Sequence, residues 1–251
     1  MVALSGRTRG GAKLLQSDSP RALVVMDETL GNLVGLTLQH GLYEIRRTTD
    51  AQECRDIVGG WTPHIAFIDL DRYELFIDIV GRGLTHGHTP IMAFTRRRDT
   101  RLKLSAYERG ADDILEVPFT LDEIVARPFA LMRRAHGITV TIVPRIRLDG
   151  LEVDLIEQRV SVAGRELHLT PIQQTLLYLL AANAGKALSR EDLLATIWGS
   201  EFEIESNVVD RHIRELRVKL NDEWRAPRYI ETVPGAGYRF KLQASVSTAA
   251  D

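Results

Sequence analysis

The sequence of 251 residues holds one cysteine, Cys54. A lone thiol excludes any disulfide within the chain and fits a reducing cytoplasm. No stretch approaches the ~18 consecutive apolar residues of a membrane-spanning helix, so no membrane partner is expected. The opening MVALSGRTRGGAKLLQSDSP has Arg7, Arg9 and Lys13 but no apolar segment. It therefore reads as a low-complexity, disordered extension over residues 1–20, not as a secretory signal. A strong net charge is missing too: 32 Lys and Arg against 34 Asp and Glu leave −2. No glycine-rich phosphate loop and no nucleophile–base pair is found, which speaks against an enzyme. His86 and His88 stand in a loop without a third ligand and read as solvated residues, not a metal site.

What is present is a globular composition, 44% hydrophobic and 26% charged, in a length that suits one large domain or two ordinary ones. Charge is unevenly spread. Residues 137–205 hold 6 Lys and Arg against 10 Asp and Glu, whereas residues 206–242 hold 8 against 5. A locally basic C-terminal segment is a weak footprint of nucleic-acid binding.

From Arg21 the pattern alternates. The runs ALVVM (22–26), HIAFIDL (64–70), PIMAFT (90–95) and DILEV (113–117) read as buried strands. Between them LGNLVGLTLQHG, DAQECRDIVGG and DTRLKLSAYERG have helical spacing and end in glycine. Such alternation predicts a parallel sheet, doubly wound with helices on both faces, and chemistry at the carboxyl ends of its strands. Cys54 falls on the inner face of its helix and reads as a buried small hydrophobe. LDEIVARPFALMRRA closes the unit as a helix, with a kink expected at Pro128. Residues 137–144 read as a linker.

Beyond it the texture changes to short strands, RIRLDG, LEVDL, RVSVAG and RELHL. In LTPIQQTLLYLLAANAG, Thr170 suits the cap and Pro171 the first helical position. SREDLLATIWG opens with Ser189 and Asp192 at capping-box spacing. In SNVVDRHIRELRVKLND, Val209, Ile213, Leu216 and Leu220 share one apolar face. Asn207, Arg211, Arg214 and Val218 lie opposite, with Asp210, His212 and Glu215 on the flanks. An outward face of that kind suits a major groove. YIETVPGAGYRFKL reads as a hairpin with a glycine-rich tip.

These separated motifs, in this order over residues 145–242, resemble the winged-helix effector domain of the OmpR/PhoB response regulators. The resemblance implies a four-stranded sheet, three helices and a hairpin wing, with the third helix reading double-stranded DNA. It assigns base contacts to Val208, Asp210, Arg211 and Glu215, and phosphate contacts to Asn207, His212 and Arg214. Thr232 and Arg239 fall in the wing region. Glu215 and Pro234 stand where basic residues are frequent, which implies fewer neutralised phosphates and a shallower salt dependence.

Residues 21–136 are similar to the receiver domain of the same family. That resemblance makes Asp69, in HIAFIDLD, the phosphoacceptor position, and the chemistry there needs a divalent cation to neutralise a carboxylate and a phosphoryl group. Here Met26 takes the first acidic position and Asp27 keeps the second. A thioether suits a hard cation poorly, so Asp27 and Asp69 are expected to hold magnesium only weakly, and no other cofactor is expected. Thr95 matches the hydroxyl position. Val117 replaces the lysine in EVPF, and Ile114 replaces the aromatic switch. Lys103, Asp113, Glu123 and Arg127 match the charged positions through which these receivers dimerise.

The sequence thus predicts a cytoplasmic transcription regulator, homodimeric through an atypical receiver that works without aspartyl phosphorylation and binding direct repeats in double-stranded DNA. RNA polymerase is an expected partner. Two rivals remain open: a conventional phosphorylation switch paired with a sensor kinase, and a sensor of a small molecule or protein at the altered pocket. The tail is residues 243–251.

Overall fold

The computed structural model describes residues 19–38, 43–82, 88–137, 145–148, 151–154, 159–162, 164–199 and 207–241. His86, the tail and most of the expected extension and linker lie outside them.

The N-terminal unit is built from β1 (Arg21–Val25), α1 (Glu28–Leu38), β2 (Glu44–Arg47), α2 (Ala51–Gly60), β3 (Ile65–Asp69), α3 (Leu70–Tyr73), α4 (Phe76–Arg82), β4 (Ile91–Thr95), α5 (Thr100–Glu108), β5 (Asp113–Glu116) and α6 (Leu121–His136). Its five strands are all parallel in the order β2-β1-β3-β4-β5. Because side chains alternate along a strand, one register supplies two cores. Ala22, Val24, Ile65, Phe67, Met92 and Phe94 face the side covered by α1 and α6. Leu23, Val25, Ala66, Ile68, Ile91 and Ala93 face Cys54, Ile57, Ile77, Val80 and Ala106 on the other side. Cys54 is fully buried, and burial pushes its thiol up to about 11, so it packs as an apolar residue.

One local feature departs from the sequence reading. Strand β2 has the sequence EIRR and escaped notice because it lies at the sheet edge, mostly exposed, where no apolar run is required. Two short helices, α3 and α4, follow Asp69. Pro128, the residue where a kink is expected, lies inside α6, which spans Leu121 to His136.

The C-terminal unit begins with an antiparallel sheet of β6 (Arg145–Leu148), β7 (Leu151–Asp154), β8 (Arg159–Val162) and β9 (Arg165–Leu167). There follow α7 (Pro171–Ala182), β10 (Ala187–Leu188), α8 (Arg190–Ile197), α9 (Val208–Leu220), β11 (Ile230–Val233) and β12 (Gly237–Phe240). Both anticipated caps form. Thr170 Oγ1 accepts from the Gln173 N–H at 3.3 Å, and Ser189 Oγ accepts from the Asp192 N–H at 2.9 Å. β12 lies between β10 and β11 and makes a three-stranded hairpin sheet. Gly237, at φ 114°, allows this: a Cβ there would stand 2.1 Å from the Leu188 carbonyl oxygen. The turn after α9 is fixed by buried Asp222, whose carboxylate accepts from the N–H groups of Arg228 (2.5 Å), Tyr229 (3.2 Å) and Ile230 (2.8 Å).

The two units pack on one another through α1 and α7, which bring Leu30, Leu33 and Val34 into one apolar cluster with Leu176, Leu179 and Leu180. Buried polar groups close the seam. Asn183 Nδ2 donates to the Thr29 carbonyl at 3.1 Å, and its Oδ1 accepts from Asn32 at 2.9 Å. Thr175 Oγ1 donates to the Phe119 carbonyl at 2.8 Å. The C-terminal unit therefore sits over the carboxyl end of the parallel sheet.

Candidate acid pocket and nucleic-acid interface

At that carboxyl end, β1, β3 and β4 deliver Asp27, Asp69 and Thr95. Asp69 is fully buried at the end of β3 and caps α3, its Oδ1 accepting from the Asp71 N–H at 3.1 Å. The same oxygen accepts from Arg96 Nη1 at 2.6 Å. Its Oδ2 is buried with no hydrogen-bond partner among the described residues. Burial pushes the Asp69 carboxyl above the usual carboxylate range, while the Arg96 guanidinium and the Asp71 amide pull it back.

Asp71 is the hub of the pocket. Its carboxylate accepts from Thr95 Oγ1 at 2.6 Å, from the Arg96 N–H at 2.8 Å and from Arg96 Nη1 at 3.1 Å. Burial opposes the charge on Arg96, but Asp69 and Asp71 more than offset it and hold its pKa above the ordinary value. Asp27 stands apart from this knot, accepting from Tyr73 Oη at 2.7 Å and from Arg72. Val117 is buried, and its isopropyl side chain offers no cation.

These residues do not fit a divalent cation. A hard ion needs several free oxygens, whereas the oxygens of Asp27 and Asp71 are engaged by donors and one oxygen of Asp69 is held by a guanidinium. No cluster of three or more acidic, histidine or cysteine ligands forms among the described residues. The expected magnesium ligands Asp27 and Asp69 are thus occupied by Arg72 and Arg96. Neither Asp71 nor Arg96 was singled out in the sequence. The signals were an acid two residues past Asp69 in IDLD and an arginine directly after Thr95 in FTRRR.

The second site is the outer face of α9. Val209, Ile213, Leu216 and Leu220 are buried, and Asn207, Arg211, Arg214 and Val218 are exposed, as the periodicity requires. The flanks are more committed. Asp210 Oδ1 accepts from Arg190 Nε at 2.7 Å and from Tyr238 Oη at 2.5 Å. His212 stacks on Trp198 with ring centroids 5.7 Å apart, and burial lowers its pKa, opposed by Glu215. Glu215 is exposed but accepts from Gln173 Nε2 at 2.9 Å.

Among the residues expected at bases, Val208 is 7% exposed in this arrangement and packs against the core cluster at the start of α9. In the wing, Thr232 Oγ1 accepts from Arg217 Nη2 at 2.8 Å, and Arg239 pairs across the hairpin with Glu231 at 2.7 Å. The cations open to a partner on this face are Arg211 and Arg214; neither pairs within the described residues.

The residues expected at a dimer face also find partners within the chain. Arg127 pairs with Asp113 at 3.1 Å and with Glu123 at 3.2 Å, and Lys103 pairs with Glu116.

Comparison with known proteins agrees with both halves of this architecture. A family described as "Transcriptional regulatory protein, C terminal" matches residues 164–240. The response regulator ArlR of Staphylococcus aureus is 34% identical over 218 residues, covering 86% of this chain and 97% of its own. Among solved structures, the chain is similar to DrrB, an OmpR/PhoB homolog from Thermotoga maritima, at 26% identity. That match covers 88% of this chain and 98% of the other, with a TM-score of 0.39. The DNA-binding domain of RstA from Klebsiella pneumoniae, solved in complex with the RstA box, is 31% identical over 39% of this chain and 96% of its own, with a TM-score of 0.36. No helix among the described residues is long and apolar enough to cross a membrane. A parallel-sheet receiver that ends in a committed acid pocket, joined to a winged helix with a basic outer face, places this chain in the OmpR/PhoB family of response regulators, as a DNA-binding transcription regulator.

Proposed function

We propose that the protein binds double-stranded DNA through α9 and the wing, pairs with a second copy through its receiver, and does so without phosphorylation of Asp69. The observation that carries this reading is the Arg96 guanidinium seated on Asp69 and Asp71. In-line phosphoryl transfer needs a cation shared by the acceptor and the incoming group. Here the acceptor's charge is already neutralised by a side chain that cannot also coordinate phosphoryl oxygens from a metal's position. Val117 supplies no second positive charge.

Pairing is supported by α5, where Leu104 and Tyr107 are 56% and 46% exposed beside the Lys103, Asp113, Glu123 and Arg127 charges. Exchange of the Arg127 ion pairs between two copies would keep every charge matched. Two winged helices held in this way suit direct repeats about one helical turn apart, and a DNA-bound dimer presents itself to RNA polymerase.

Beryllofluoride or acetyl phosphate tests the reading. The expected result is an unchanged dimerisation constant and DNA affinity; a shift that vanishes in Asp69→Asn overturns it and restores a sensor-kinase partner. A second reading, sensing of a ligand, is favoured by a cleft of about 1190 Å³ between the units, lined by Asp71, Arg97, Arg98 and Arg211. A thermal-shift screen of the full chain with small anions separates that reading from a pure scaffold.

A further inference from the structure

We propose that Arg96 is a built-in counter-cation that stands in place of a divalent ion and latches the winged helix onto the receiver, in a closed arrangement that withholds the start of α9 from DNA. This rests on the phosphorylation-independent reading above and deepens it, by naming what the altered pocket does.

Among the described residues, the Arg96 guanidinium joins the pocket acids directly to the winged helix. Its Nη1 donates to Asp69 and Asp71, and its Nε donates to the Thr196 carbonyl oxygen in α8 at 2.8 Å. Thr196 lies in the last turn of α8, where carbonyls have no partner within the helix and the helix dipole favours a cation. Arg96 is 7% exposed at its side chain, and its stem packs beside Gly199 at the end of α8. A metal ion in the pocket could neutralise the same acids, but it could not reach across to Thr196. Arginine can, because its planar fork points donors in fixed, divergent directions.

The rest of the seam shows that the contact is specific. Asn183 and Thr175 in the winged helix are buried polar residues that bond across the seam to Thr29, Asn32 and Phe119 of the receiver, Asn183 Nδ2 also donating to the Leu179 carbonyl of its own helix at 2.8 Å. Buried polar groups left without partners cost stability, so these residues are matched to the docked state. Lys186 pairs with Glu28 at 2.8 Å on the rim.

In this arrangement the first turn of α9 faces the receiver. Val208, Arg211 and His212 line the same cleft as Arg96, Arg97 and Arg98. A recognition helix reads bases chiefly through its N-terminal residues. One turn of duplex is about 34 Å long and presents a major groove about 12 Å wide. A cleft of about 1190 Å³ has the size of a small-molecule site and does not admit it. DNA that seats the first turn of α9 in its groove must therefore displace the receiver from the far wall of this cleft, and the apparent affinity is reduced by the fraction of chains that are open.

The experiment measures affinity of the full chain for a fluorescein-labelled duplex of mixed sequence at low salt, by anisotropy. Three variants are compared. Joining Asn32→Cys to Asn183→Cys with a short bismaleimide is expected to abolish binding that the unbridged pair retains; Cys54 is buried and stays out of the reaction. Arg96→Lys keeps a positive charge in the pocket but cannot span both carboxylates and Thr196, and Asn183→Ala opens the seam without touching the acids. Each is expected to tighten binding about tenfold, the change that follows if roughly one chain in ten is open in the parent. Cross-linking yields and scattering should report a longer distance between the units in both. Unchanged affinity in Arg96→Lys and Asn183→Ala, or full binding by the bridged protein, overturns the latch. Beryllofluoride addresses the preceding reading separately, because it acts through Asp69 in the parent chain and leaves the bridged and Asn183→Ala comparisons intact.

Discussion

Asp69 and Asp222 are both buried carboxylates, one in each unit, and they are satisfied in opposite ways. Asp222 takes three consecutive backbone amides, and the turn it fixes has no other use for its charge. Asp69 takes one amide and one guanidinium on a single oxygen, and its second oxygen is buried without a partner. The first is an acid that the fold requires. The second is an acid that the fold tolerates, held in place by an arginine that could have bonded elsewhere. The same contrast separates the acid pocket, where Arg72 and Arg96 are paired with its acids, from the outer face of α9, where Arg211 and Arg214 have no partner among the described residues.

Replacing the two acids separates these roles most sharply. Asp222→Ala strands three N–H groups at about 1–3 kcal/mol each; the winged helix should lose about 3 kcal/mol or more in urea unfolding. Asp69→Asn keeps an acceptor for the Asp71 amide, removes a poorly solvated charge and leaves Arg96 its Asp71 partner. Unfolding free energy should therefore move by no more than about 1 kcal/mol, because replacing one member of a buried network costs much only when it strands a charge. Equal losses in the two variants would erase the distinction.

Between these extremes falls the open face. Arg211→Ala with Arg214→Ala should weaken duplex binding about 100-fold at low salt, at roughly 1–3 kcal/mol per contact. Thermal unfolding should be unchanged, since both side chains are exposed and unpaired within the described residues. A large stability loss would show that this face is structural.

The smallest expected effect is one of pH. Burial against Trp198 lowers the His212 pKa below its ordinary 6.5 in the folded chain. The unfolded chain then takes up the proton first, so stability is fully present above about 6.5 and falls as pH drops toward the lowered folded value. A thermal midpoint that declines from pH 7.5 to 5.5 in the parent, and declines less in His212→Phe, is the expected result; parallel curves would assign the decline elsewhere.

Much of the architecture was legible because it rests on period and caps. The apolar runs of β1, β3, β4 and β5 are fully or largely buried in a parallel sheet, so they read directly. Thr170 and Ser189 announced their helices through local hydrogen bonds. Strand β2 did not, since an edge strand need not be apolar. In the sites, the exposed arginines of α9 follow from helical spacing alone. The acid pocket does not, because Arg96 meets Asp69 and Asp71 only after β3 and β4 pair, and meets Thr196 only when the two units dock. Contacts across a hundred residues leave no local signature. Burial of Val208, about 100° round the helix from Val209, likewise depends on packing that the α9 periodicity alone does not give.

Arg217 has a mechanical consequence. Its guanidinium runs from α9 to the Ile230 carbonyl and the Thr232 hydroxyl, and it packs over the Tyr238 ring. Helix and hairpin are thereby braced like the two arms of a caliper. A caliper of fixed opening does not adapt to what it measures. Any duplex gripped by both arms must bring its adjacent grooves to that one separation, and sequences that bend or compress easily will do so at the lowest elastic cost. Selectivity can in this way extend to base pairs that no side chain touches.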